Sequence, residues 1–292
     1  MIQSQRHHYL PEVYLKGFTG DDGKLAVYDI RKRELKKGRF SPKQVFYEWN
    51  RNTLEVNSDK TDFLELLYRN IDQNITPVLK KLQSTWSDVE LNSYEILSLI
   101  YFQGMTYWRV PSTDLDIINY VKTTDKRDLF IKIINTITNE EANNEIYDRV
   151  LNEQIFIESY RIPKAIADFL KATNKNILGK WKITYPSKPS KLHLIGDNPI
   201  LTLEDDFDNI LDTESIFPLS SSKTLWHLNL KFPEIISAEN TVTVDQLIFL
   251  QSERYVCGPN SDYLKAIANM CENQPCNDKI IKGLKLKVFG KT

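Results

Sequence analysis

The feature that most restricts the fold is a change of hydrophobic period along the chain. From about Asp59 to Ala172 apolar residues recur at helical spacing, whereas on either side they fall in short runs cut by Pro, Gly, Asn and Asp. Phe63, Leu66, Leu67, Ile71, Ile75, Val78, Leu79 and Leu82 make one stripe of a long amphipathic helix. Asp62 and Glu65 resemble a capping box at its start, and Pro77 is expected to kink it or end its first half. A second helix starts at Ser93, carries Ile96, Leu97, Leu99, Ile100 and Phe102, and stops before Pro111, which disfavours helical backbone at Val110. Three or four more helices are expected between Thr113 and Ala172, the clearest over Gln154–Leu170 with Pro163 interrupting it.

Ahead of this block, Lys24–Ile30 and Gln44–Trp49 read as strands joined by the basic connector Arg31–Arg39, suggesting a hairpin or small sheet. After Gly179, strands are expected over Lys180–Tyr185, Leu192–Ile195, Ile200–Leu203 and Thr224–Leu230, then helices over Thr243–Arg254 and Ser261–Met270, and a last strand over Gly283–Phe289. This order predicts an α+β fold, with N-terminal strands, a central helical block and C-terminal mixed strands with closing helices, not the alternation of a doubly wound sheet. No GxGxxG or GxxxxGK[ST] loop supports a dinucleotide or P-loop fold. With 292 residues, 41% of them hydrophobic, the chain can bury a sizeable core. We expect a single composite domain over 1–292: a strand-rich part at 1–58, the helical block at 59–175, and a strand-rich part with terminal helices at 176–292.

The net charge of −1 excludes a bulk polycation. It is a cancellation: Arg31, Lys32, Arg33, Lys36, Lys37 and Arg39 form a local basic patch, set against the acidic segment from Glu204 to Glu214. Such runs are usually solvated faces; the alternative is a patch that meets nucleic acid or a nucleotide. No apolar run approaches the ~18 residues of a membrane span, so no membrane partner is expected, and residues 1–10 have no apolar segment of a signal peptide. The sparse cysteines, Cys257, Cys271 and Cys276, make no disulfide framework and no zinc site, which fits a reducing bacterial cytoplasm.

Chemistry-bearing residues gather in three places. The first is Arg6-His7-His8-Tyr9, where imidazole suits proton transfer or metal ligation and neighbouring side chains diverge. The second is Asp197-Asn198-Pro199 at a strand end. There Asp can accept a proton, orient a histidine or bind a metal, with ordinary turn chemistry as the competing reading. The third is Gln103 to Pro111, where Arg109 either complements a helix C-terminus or grips a phosphate or carboxylate. Glu48 is a weaker fourth candidate.

These elements, taken in order, resemble a bacterial domain-of-unknown-function family, numbered 4238. The opening His7-His8-Tyr9-x-Pro11-x-x-Tyr14-Leu15-x-x-Phe18 is similar to the family's signature, Leu25–Asp29 to its first strand, and Phe46-Tyr47 to its aromatic pair. Gln103 with Arg109-x-Pro111, Asp197-Asn198-Pro199, Phe217-Pro218-Leu219-Ser220, and Asn240 with Gln246 resemble the later motifs, so the likeness covers roughly residues 5 to 260. Gly196 stands where the family often has Ser, and Asp72 where Glu is common. The resemblance names no reaction, but it implies that His7, His8, Arg109, Asp197 and Asn198 share one site.

The residues point first to a phosphodiester-cleaving, nuclease-like hydrolase, with a role in phage defence or as a toxin effector. His7 or His8 would be the acid or base, Asp197 and Asn198 its partners, and Arg109, Gln103, Tyr9 and Arg6 the substrate contacts. A divalent Mg or Mn would rest on His8 and Asp197 if a metal takes part. The alternative is a non-catalytic module that binds a nucleotide, nucleic acid or, through the helical block, a protein partner.

Overall fold

The structure, a computed structural model, describes residues 6–56, 59–135, 137–173, 177–189, 191–205, 208–228, 235–273 and 278–291. It opens with β1 (Arg6–His8), α1 (Glu12–Leu15), β2 (Ala26–Asp29), β3 (Glu34–Leu35), β4 (Tyr47–Trp49), β5 (Leu54–Val56) and β6 (Asp59–Thr61). The helical block is α2 (Phe63–Gln83), α3 (Ser93–Arg109), α4 (Asp114–Thr123), α5 (Asn144–Leu151) and α6 (Gln154–Thr173). Then come β7 (Trp181–Pro186), β8 (Ile195–Gly196), β9 (Leu201–Thr202), β10 (Ser215–Ser220), β11 (Lys223–His227) and β12 (Ile235–Ile236). The last elements are α7 (Ala238–Gln251), β13 (Tyr255–Gly258), α8 (Ser261–Glu272) and α9 (Asp278–Val288). The chain is α+β, as its periodicity predicts.

Two sheets carry the architecture, one ordered β12-β7-β11-β10-β9 and the other β3-β2-β13-β8. In the second, β13 pairs antiparallel with β2, Asp29 opposite Tyr255, and on its other edge with β8, Val256 opposite Gly196. β1 pairs with β4, setting His7 opposite Glu48. The expected pairing of the two N-terminal strands is therefore replaced. β2 is buried along its whole length, so its backbone groups need partners on both edges. β3, inside the basic connector, and β13 supply them.

Other departures have local causes. The helices α2 and α6 run on through Pro77 and Pro163; Pro77 and Gln73 are exposed, so water can take the carbonyl the proline leaves unbonded. Asp62 makes no capping bond to α2 and instead accepts from the Thr53 hydroxyl at 2.8 Å. The reciprocal capping box forms at Asn92 and Glu95 of α3, and Val110 is extended before Pro111 as expected. The strand expected over Gly283–Phe289 is part of α9. Leu284, Leu286 and Val288 alternate like a strand, yet Ile281, Leu284 and Val288 pack at helical spacing into the core that includes Val244, Leu247 and Ile248 of α7. β10 was not anticipated because of Pro218, which the strand accommodates at a register shift between Pro218 and Ser220. The strand expected over Leu192–Ile195 is confined to Ile195–Gly196. That over Thr224–Leu230 ends at His227, residues 229 and 230 lying outside the described ones, as does Cys276. α7 starts early, capped by the Ser237 hydroxyl, and stops at Gln251, which frees Arg254 for the turn into β13.

The largest apolar cluster draws on all three regions of the sequence. It includes Tyr9, Leu10, Tyr14 and Phe18, then Leu79 and Leu82 of α2, Leu99 and Phe102 of α3, and Phe217 and Leu219 of β10. Tyr14 is surrounded by Phe18, Phe102 and Phe217, with ring centroids 5.3, 5.4 and 5.4 Å away, and its hydroxyl donates to the Pro218 carbonyl at 2.5 Å.

Gly196 lies where β8 runs under α7. A Cβ there would stand 2.0 Å from Ser252 Oγ and 3.2 Å from Ile248 Cγ2. No side chain fits at this position beside Ser252 without a shift. Gly196→Ala is expected to lower stability by about 1–3 kcal/mol, the range for overpacking a full site. The loss should be partly restored in the Gly196→Ala/Ser252→Gly double variant, as read by the urea midpoint of unfolding.

Candidate functional site

The ends of β2, β8 and β13 meet. The Ile30 amide donates to the Arg254 carbonyl at 3.0 Å and the Asp197 amide to the Tyr255 carbonyl at 3.2 Å. The Asp197 carboxylate in turn accepts three consecutive amides, Glu253 on Oδ1 at 3.0 Å and Arg254 and Tyr255 on Oδ2 at 2.7 and 3.3 Å. Burial raises the pKa of Asp197 and the nearby Glu253 charge adds to that, while the three amides oppose it. These turns leave a pocket of about 100 Å³ lined by Tyr9, Arg31, Glu48, Pro111, Ser112, Asp197, Glu253 and Arg254.

Of the expected site residues, Tyr9 and Asp197 thus share a pocket with Pro111 of the Arg-x-Pro element. The Tyr9 amide is fixed by the Phe46 carbonyl at 3.0 Å, and its ring meets Phe46 edge-on at 6.0 Å. Burial and then the Asp197 charge push the Tyr9 phenol well above its ordinary range. Asn198 faces a second cavity of about 1010 Å³, whose wall also includes Ser112, Thr113, Tyr107 and Gln251. Ser112 borders both spaces. Its hydroxyl oxygen is buried with no hydrogen-bond partner.

The histidines lie elsewhere. His7 is fully buried, its Nδ1 accepting from the Asn52 amide at 2.9 Å and its Nε2 4.0 Å from Asp62. His8 packs beside Tyr47, ring centroids 5.7 Å apart, and its Nε2 is buried without a partner. Burial lowers the His8 pKa; Glu12 and Glu65 raise it, and Arg109 lowers it further. Among the described residues no histidine bonds the Asp197 carboxylate, and no group of three or more His, Cys, Asp or Glu residues is disposed to hold a metal ion. His8 and Asp197 therefore do not combine into a ligand set with a third such residue.

Arg109 grips Asp72 through Nη1 at 2.9 and 3.1 Å, with its guanidinium 4.3 Å from the centre of the Tyr68 ring. Asp72, the other departure from the family pattern, still presents a carboxylate to this arginine; burial raises its pKa although Arg109 opposes the rise. Gln103 is buried, its amide nitrogen donating to Ser215 Oγ at 2.9 Å and its Oε1 left without a partner. Arg6 is exposed, stacked 5.1 Å from both the Tyr47 and Trp49 rings. The basic patch is partly neutralised: Arg39 pairs with Asp22, Lys36 with Asp29 and Arg33 with Glu272. Lys32 and Lys37 are exposed, and Arg31 belongs to the pocket.

Reading motifs alone missed Ser112, Glu253 and Arg254. The first sits one residue past a recognised motif; the other two looked like the end of a helix. It also missed two polar networks. Arg51 bonds Glu48 at 2.8 Å, Asp114 at 2.6 Å and the last carbonyl of α3, that of Arg109, while Arg161 joins at Asp114. Thr224, His193 and Asp245 form a hydroxyl–imidazole–carboxylate chain of 3.1 and 3.3 Å, extended by the Tyr263 hydroxyl on Asp245. Thr224, His193 and Asp245 are buried and Tyr263 is half-buried, so this chain ties β11 to α7 and α8.

A histidine with a depressed folded pKa contributes stability that is complete above its unfolded value, near 6.5, and lost as pH falls through the folded value. In an NMR titration His8 is expected to protonate below pH 6.5. Glu12→Gln should move that midpoint lower still, because it removes the largest influence raising it; an upward movement would contradict the arrangement.

The profile of a family described as "Protein of unknown function (DUF4238)" matches residues 6–262. No curated protein and no solved structure matches the chain. With that profile spanning the opening strand, the helical block and the β8 and β13 turns, the chain belongs to the DUF4238 family.

Proposed function

We propose that the chain is a phosphodiester-cleaving, nuclease-like enzyme whose site is the pocket between Tyr9, Ser112, Asp197 and Arg254. The observation that carries this reading is convergence: residues from six distant segments line one small pocket, and one of them, Ser112, also lines a much larger cavity. Phosphodiester hydrolysis needs positive charge beside the phosphoryl oxygens, a base for the attacking water and room for the flanking nucleotides. Arg31 and Arg254 supply the first. Burial works against the Arg254 charge, but Tyr255, Tyr9 and Glu48 beside it more than compensate, so its pKa lies above the ordinary value.

The base in this scheme is Glu253, an exposed carboxylate on the pocket wall without an ion pair among the described residues. Asp197 acts as a positioning residue that holds the Glu253–Arg254 backbone in place. His8 is assigned no step. A divalent metal, if recruited, would come with the substrate phosphate and the pocket carboxylates. A defence or toxin role in a reducing cytoplasm, where the buried thiols of Cys257 and Cys271 stay free, completes the proposal.

A second reading, a binding module without catalysis, is favoured by one specific observation. Asp197, His7 and Arg109 already have polar atoms engaged by protein partners, the Glu253–Tyr255 amides, the Asn52 amide and Asp72. Incubation with RNA and DNA in Mg²⁺ or Mn²⁺, then with EDTA, separates the two. Cleavage is expected, falling about 100-fold or more in Glu253→Gln, the scale of a lost general base, and in Arg254→Gln. Undiminished cleavage in both variants would sink the site assignment, and oligonucleotide binding with no cleavage would favour the module.

A further inference from the structure

We infer that the outer face of the β1–β4 ribbon is a stacking platform for single-stranded nucleic acid. This deepens the phosphodiester reading and rests on it for the choice of ligand, though not for the surface itself. Side chains alternate across a strand, and the pairing sets Arg6 opposite Trp49, His7 opposite Glu48 and His8 opposite Tyr47. One face therefore carries Arg6, His8, Tyr47 and Trp49, and the other carries His7 and Glu48. His7 is fully buried, which makes its face the inner one; Arg6 and Trp49 are exposed on the outer. That outer face is a run of flat π-bearing groups. Ring centres lie 5.7 Å apart between His8 and Tyr47 and 6.1 Å apart between Tyr47 and Trp49, and the Arg6 guanidinium is 5.1 Å from the centres of both the Tyr47 and Trp49 rings.

Exposure, charge and position fit this ligand. An indole is usually well buried, yet Trp49, at 57%, is the most exposed of the five tryptophans. Tyr47 meets it edge-on, at 86°, which steadies the indole and leaves it open to a flat partner such as a base. The four side chains of the face include one fixed cation and no acid. Glu12, the acid that acts most strongly on His8, bears on the His8 end, whereas Arg6 stands at the Trp49 end. Exposed Lys43 lies shortly before β4. Aromatic rings beside a guanidinium suit a single strand, with bases stacked on the rings and phosphates met by the cation. A neutral sugar could use the indole but would leave the Arg6 charge unused, and a duplex keeps its base faces inside the stack. Position ties the platform to the site. Glu48, between Tyr47 and Trp49, and Tyr9, next to His8, both line the small pocket. Arg6, Tyr47 and Trp49 have no part in the cleavage scheme, so the platform can be tested apart from it.

The test is binding in EDTA, where affinity is read apart from metal-dependent cleavage. Fluorescence anisotropy would compare a labelled oligothymidylate with an abasic strand of the same length and charge. The strand with bases is expected to bind about tenfold or more tightly, the scale of one stacked base. Trp49→Ala should remove that advantage and leave the abasic affinity unchanged, and Trp49→Phe should restore part of it. Because Trp49 is exposed, both variants should unfold at thermal midpoints near the parent's. Arg6→Gln should weaken both strands and flatten the fall of affinity with salt. No binding of oligothymidylate, equal affinity with and without bases, or an advantage that survives Trp49→Ala would overturn the inference. So would tryptophan quenching by a neutral oligosaccharide and not by oligothymidylate, which would assign the face to a sugar. Cleavage that depends on Glu253 and Arg254, with no base-dependent binding at Trp49, would leave the phosphodiester reading standing and remove this one; base-dependent binding at Trp49 without cleavage would do the reverse.

Discussion

The interaction on which the rest of the site depends is the Asp197 carboxylate receiving three amides in a row. A buried carboxylate is costly unless its oxygens are hydrogen-bonded, and here both are engaged by the backbone entering β13. The bond set closes a turn between β8 and β13 that the two-residue strand β8 could not hold alone. Because β2 lies on the other edge of β13, the same closure brings Arg31 to Arg254. Tyr9 and Glu48 arrive separately, through the β1–β4 pair and the Tyr9–Phe46 backbone bond.

Charge is distributed with a similar economy. Within the helical block, and at its edge with Arg51, cations are matched by acids: Arg51 and Arg161 by Asp114, Arg109 by Asp72, Lys164 by Asp168. Such pairs are weak evidence of net stability, since desolvation offsets much of their attraction, but breaking one leaves a buried charge unmatched. Their effect is to fix orientation. Arg51, for example, holds the C-terminal carbonyl of α3 and the start of α4 at once, which sets the direction in which Pro111 and Ser112 leave the helix.

Helix content and class were legible because burial on one face of a long helix imposes its period directly on the sequence, as Leu79 and Leu82 or Leu99 and Phe102 illustrate. Partners of short strands were not. Nothing local to Ala26–Asp29 says that it must wait for Tyr255–Gly258. The candidate site was half legible for the same reason. Tyr9 and Asp197 stood out as residue types in distinctive motifs, and the structure gathers them. His7, His8 and Arg109 stood out equally, yet they lie among other partners, because a motif records what a position needs without saying whether the need is catalytic or structural. Ser112 and Arg254 carry no signal by type, and only the topology gives them a place.

The span between β2 and β13 has a consequence for how the protein comes into being. Contacts such as Arg39 to the Pro259 carbonyl and Tyr28 to Glu272 join positions 220 and 244 residues apart. Pairings of such separation form late and slow a folding reaction. On the ribosome, the first strands and the helical block emerge long before β13 exists, and the pocket has neither Asp197 nor Arg254 until then. A chain released early would carry the opening histidines and the arginine of the mid-chain motif, but no enclosed pocket. Whatever the pocket does, synthesis order delays it until β13 has been made.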